Sequence, residues 1–75
     1  MINTLPLLSR RSMQRQWVEQ AAIFFINSVH GLTAGEYNNA IDRTLRAFDL
    51  GHSGARSVFF GYDYARRCAN EQKRL

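Results

Sequence analysis

The sequence predicts a small all-α domain, an up-down-up bundle of three helices carrying an extended N-terminal arm. Apolar residues recur with a helical period over three long stretches, His30-Gly31 and Gly51 separate those stretches, and hydroxyl side chains stand where each helix should begin. The separating segments are only a few residues long, so consecutive helices become antiparallel neighbours. The 75 residues make one domain, 1–75. A chain of this size buries only about 60% of its unfolded surface, so it needs support from disulfides, a metal or self-association.

Residues 1–11 form the arm. Met1 to Leu8 contains Pro6 and shows no helical period, and Leu5, Leu7 and Leu8 are expected to fold back on the body. Helix 1 is expected near 12–29, capped by Ser9 or Ser12 and stopped by His30-Gly31. The clearest local signal comes next: Thr33 and Glu36 have capping-box spacing, and Leu32 and Tyr37 have hydrophobic-staple spacing. Helix 2 is therefore expected near 34–50, with Tyr37, Ile41, Leu45 and Phe48 as its buried stripe and Ala40 and Thr44 beside it. Ser53 caps a third helix near 54–71, whose expected core stripe is Val58, Tyr62, Ala65 and Ala69, flanked by Ala55 and Phe59. Helices 2 and 3 around Gly51 also have the spacing of a helix-turn-helix, an arrangement common outside DNA-binding proteins.

Composition narrows the function classes. Cys68 is the only cysteine, so no intrachain disulfide forms, and a lone thiol suits a reducing compartment. No zinc-ligand spacing exists, and no cofactor motif is present. Self-association is left as the expected support. The longest apolar run, Ala21 to Ile26, is too short to span a bilayer, and Met1 to Leu8 lacks the features of a signal peptide, so a cytoplasmic protein without membrane contact is expected.

An enzyme is not expected. His30 and His52 fall at opposite ends of the bundle, and Cys68 has no base and orienting group to complete a nucleophilic set. They read as helix-terminal histidines and a packed thiol.

The net charge of +4 comes almost wholly from arginine, with Lys73 the only lysine. Arginine's planar fork suits interfaces and phosphates alike. Asp42 with Arg46 and Asp63 with Arg67 stand four apart with the acid first, and Arg15 with Glu19 in the reverse order, so these read as local helix pairs. Arg10, Arg11, Arg15, Arg46 and Arg56 gather at one end of the bundle and are the candidate nucleic-acid contacts, while Arg66, Arg67, Lys73 and Arg74 gather at the other. Two poles do not make a continuous phosphate track, and solvated helix ends account for them equally well.

Helices 1 and 3 carry apolar residues beyond a single inward stripe, to be covered either by the neighbouring helices and the Met1–Leu8 arm or by a second chain. In helix 1, Met13, Trp17, Ala21 and Phe24 form one stripe and Val18, Ala22, Phe25 and Val29 another, together covering over half the circumference. Trp17, Val18, Ala22, Phe25 and Ile26 are the candidate self-association residues. In helix 3, Phe60 and Tyr64 point away from the expected core stripe beside Arg56 and Arg67, the pairing of rings and arginines found at interface hot spots, so Arg56, Phe60, Tyr64 and Arg67 are the candidate partner-binding residues. The expectation is a non-enzymatic interaction or regulatory protein that acts on a protein partner or on a second copy of itself, with a nucleic-acid-binding regulator as the alternative.

Overall fold

The computed structural model describes residues 9–73, which form three helices and no strand: α1 (Arg10–Ile26), α2 (Ala34–Asp49) and α3 (Gly54–Lys73). The expected arm over Met1 to Leu8, Arg74 and the side chain of Lys73 lie outside the described residues. Every pair of helices packs together, α2 with α3 most extensively, which makes the expected all-α bundle.

Helix α1 begins two residues earlier than expected because Ser9, not Ser12, is its cap. The Ser9 hydroxyl accepts from the Ser12 N–H at 3.0 Å, and Arg10 and Arg11 thereby join the first turn instead of the arm. The helix also stops three residues early, at Ile26. The Ser28 hydroxyl donates to the Phe25 carbonyl at 2.6 Å and the Ser28 N–H to the same oxygen at 3.1 Å, so the last turn is tied off before Val29. Val29 and Leu32 then fold over the end of the core. Gly31 carries the chain round at φ 91°.

Both halves of the α2 capping box are formed. Glu36 N–H donates to the Thr33 hydroxyl and Thr33 N–H to the Glu36 carboxylate, each at 3.0 Å. The far end is a Schellman turn, with Gly51 N–H donating to Phe48 O at 3.0 Å and His52 N–H to Ala47 O at 3.1 Å. Gly51 sits at φ 106°, a conformation L side chains resist. Ser53 then caps α3, its hydroxyl accepting from Arg56 N–H at 3.1 Å.

Phe48 is buried as expected, but the rest of the α2–α3 interior differs from the expected stripes in one consistent way: it is built of small side chains. Ala40, Thr44, Ala47 and Phe48 are buried on α2, leaving Tyr37, Ile41 and Leu45 half-buried on its flanks. On α3 the buried row is Ser57, Gly61, Ala65 and Ala69, while Val58 and Tyr62 are half-buried and Phe59 is 58% exposed. A β-carbon at Gly61 would fall on the Thr44 hydroxyl and within 2.6 Å of the Ala40 carbonyl oxygen. Helices α2 and α3 therefore approach as closely as their backbones allow, and only small residues fit between them. They run antiparallel along their whole length, from the turn at Gly51 to the 2.7 Å hydrogen bond from Gln72 to Glu36 at the far end. Full-length pairing differs from the steep crossing of a helix-turn-helix.

Helix α1 lies across this pair, contributing Val18, Ala22 and Ile26 to the core. Its basic first turns clamp the carboxyl end of α2. Arg11 donates to the Phe48 carbonyl at 2.7 Å and stacks over the Phe48 ring at 4.5 Å, placing a cation where the helix dipole favours one. Arg15 grips Asp49 with two hydrogen bonds of 2.9 and 3.0 Å. The expected Arg15–Glu19 pair thus gives way to a bond between helices.

Candidate functional site

Packing α1 through a row of modest side chains leaves the large ones outside. Val18, Ala22 and Ile26 are buried, whereas Met13 is 49%, Trp17 73%, Phe24 73% and Phe25 47% exposed. The proposed self-association set is thereby divided: Trp17 and Phe25 are available at the surface, but Val18, Ala22 and Ile26 belong to the core and are inaccessible to a second chain. Their positions follow from the 100° advance per residue, which places Val18, Ala22 and Ile26 opposite the Met13, Trp17 and Phe24 stripe.

Between α1 and α3 lies an open groove of about 540 Å³, floored by Val18, Ala21, Ala55 and Val58 and walled by Trp17, Phe25, Phe59 and Tyr62. None of its lining residues is charged. Gly54 closes one end: a β-carbon there would meet Val18 at 3.1 Å, so α3 starts close against α1 before the groove opens. Rings continue the apolar surface beyond the groove. Phe24 meets Phe25 edge-on at 5.4 Å and Phe25 meets Tyr62 at 6.2 Å, while Phe59 leads through Phe60 to His52, with ring separations of 6.4 and 5.2 Å. Arg66 stands at the Tyr62 edge, donating to its hydroxyl at 3.1 Å.

The candidate quartet on α3 is not one outward face. Tyr64 packs against the core, with its ring under the Arg43 guanidinium at 4.3 Å and its hydroxyl 3.4 Å from the Asn39 amide, so it fills the α2 side of the helix. Arg67 is held by Asp63 at 3.0 Å. Arg56 and Phe60 remain together at the surface, beside Phe59. Sequence reasoning placed Phe59 on the core flank and overlooked Ala55, Val58 and Tyr62 as surface-lining residues. The missed signal was the run Ser57, Gly61, Ala65, whose four-residue spacing marks the closest helix contact and turns Phe59 outward.

No protein family, curated protein or solved structure matches this chain.

The arginines expected to meet nucleic acid are mostly engaged within the chain. Arg11 and Arg15 bind the end of α2, and Arg46 pairs with Asp42 at 2.6 Å, leaving Arg10 and Arg56 exposed without an ion-pair partner among the described residues. Asp49's carboxyl is held below its ordinary range by the hydrogen bond from Arg15, which outweighs its partial desolvation. For chemistry, the described residues gather no group of three His, Cys, Asp or Glu side chains able to hold a metal. His30 lies at the α3 carboxyl end beside Arg66 and Asn70, and His52 lies against Phe60 at the other end. Half-buried Cys68 is a free thiol. No helix of the described residues is long and apolar enough to cross a membrane.

Proposed function

We propose that this protein is a non-enzymatic interaction module whose working surface is the apolar face formed by α1 and α3, which takes an apolar surface of another protein chain. The observation that carries this reading is the inversion of side-chain size. The largest fully buried side chains are Ile26, Thr44 and Ser57, while Trp17, Phe24, Phe25 and Phe59 stand in solvent around a groove with no charged lining residue. Aromatic side chains bury about 150–250 Å² each and dominate contact energetics, and contiguous exposed apolar patches mark interaction sites. Arg56 beside Phe60 and Arg66 beside Tyr62 supply a directional polar rim. The amended partner-binding set is Trp17, Phe24, Phe25, Phe59 and Tyr62, with Arg56 and Phe60 at the edge.

A photo-crosslinking residue in place of Phe59, used in the native host, tests this reading. Crosslinks to protein that disappear when Trp17 is changed to Gln are expected. A chain that stays folded, remains a monomer and forms no crosslink through this position would contradict the proposal. The alternative, a nucleic-acid regulator, is favoured by no arrangement of cations as coherent as this apolar face; its mark would be binding that weakens linearly with salt on a log–log scale.

A further inference from the structure

We infer that the occupant of this face is a second copy of the chain, with α1 packed antiparallel against α1 of its twin. The inference rests on the interaction reading above and specifies the partner. On the outer side of α1, Met13, Trp17, Gln20 and Phe24 follow one another at intervals of four, three and four residues, the spacing of a helix-pairing seam. All four are exposed. Opposed to itself in antiparallel register, the seam is self-complementary: Met13 faces Phe24 of the twin and Trp17 faces Gln20, twice over across one two-fold axis. A closed two-fold contact of this kind needs the same patch on both copies, which a seam on one helix supplies. The groove runs alongside, walled by Trp17 and Phe25, so that rings crossing the seam have an apolar cleft beside them.

Charge favours self-pairing through this seam. Two chains of net charge +4 repel each other over most orientations, yet the seam residues and their neighbours Gln14, Gln16, Ala21 and Ile23 carry no charge. Of the charged residues of α1, Arg11, Arg15 and Glu19 lie on the opposite side of the helix, while Arg10 lies on the seam side one turn before Met13 and in this register falls opposite the uncharged Asn27 of the twin. On the seam itself Met13, Trp17 and Phe24, exposed by about half to three quarters, offer roughly 400 Å² per copy, about half of the ~800 Å² per partner of a standard interface, before Gln20 and the flanking residues are counted.

Sedimentation equilibrium of the full chain, combined with site-directed disulfide trapping, tests the pairing. A mass of about twice 8.7 kDa is expected, with Phe24→Asp weakening association by about 30-fold or more while circular dichroism stays unchanged. In a Cys68→Ser background, mixing a Met13→Cys chain with a Phe24→Cys chain should give a disulfide-linked pair that neither gives alone, because only antiparallel packing brings those positions together. Four results would overturn the inference. The first is a monomer at millimolar concentration. The second is a dimer trapped equally well by Met13→Cys alone. The third is a monomer whose Trp17 emission shifts to the red on removal of residues 1–8, which would put the arm on the face instead. Crosslinks from position 59 to a different protein, in a chain that stays monomeric, would overturn the self-pairing and leave the interaction reading standing.

Discussion

The α2–α3 contact and the α1–α3 face are made of opposite materials. Between α2 and α3, Ala40, Thr44 and Ala47 meet Ser57, Gly61 and Ala65, and the backbones come so close that a β-carbon at Gly61 has no room. Between α1 and α3, Trp17, Phe25, Phe59 and Tyr62 stand around an open groove. The lesson is that apolar content and stability are separable in this chain. The helices approach most closely where side chains are small, and the large apolar area lies outside that contact, where the proposed function puts it to use. A three-helix domain that placed its rings inside would have a thicker core and a blank surface.

The sharpest way to break that contrast is Gly61→Leu, which drives a side chain into Thr44 and the Ala40 backbone. It should cost about 3 kcal/mol or more, or abolish folding, as severe overpacking does. Gly61→Ala should also destabilise, even though alanine gains about 1 kcal/mol over glycine in helix propensity. Urea denaturation followed by circular dichroism measures both. A stable Gly61→Leu protein would show that α2 and α3 are free to separate. Next in size, Ile26→Ala removes a fully buried side chain shared by all three helices and should cost about 2–5 kcal/mol in the same measurement. Thr33→Ala removes one half of the capping box that starts α2 and should cost about 1 kcal/mol.

A smaller effect belongs to acid. Because Arg15 lowers the carboxyl pKa of Asp49 in the folded chain, the contribution of this pair is fully present above the ordinary carboxylate value of 3.8 and is lost as pH falls through the lowered value. Asp49→Asn should therefore lower Tm at neutral pH slightly and flatten the part of the acid melting profile that this group supplies. An unchanged profile would mean that the exposed pair contributes nothing, as many surface pairs do.

Much of the fold was legible because its signals are local. Thr33 with Glu36, the Ser53 cap and Gly51 define their helix ends through bonds to neighbours a few residues away. The end of α1 was misread because the stop is made by the Ser28 hydroxyl three residues before the glycine, and a serine there does not stand out from other polar residues. The candidate site was legible only as an excess of apolar residues. Ranking residues by hydrophobicity puts Val58 and Tyr62 inside and Ser57 and Gly61 outside. Close helix approach reverses that order, and the reversal moves Phe59 into solvent and Tyr64 against Asn39 and Arg43 on α2. The division of Trp17 and Phe25 from Val18, Ala22 and Ile26 depends on where α3 crosses α1, which no local pattern encodes.

The central claim is that the rings on α1 and α3 serve contact and not the fold. The double variant Trp17→Gln, Phe59→Gln tests it directly by urea denaturation in solution dilute enough for the chain to be a monomer, read by circular dichroism. The account predicts a folding free energy within about 0.5 kcal/mol of the parent, as for exposed positions generally, together with loss of association at higher concentration. A loss of several kcal/mol in the dilute monomer, comparable to that of Ile26→Ala, would contradict it and return these rings to the core.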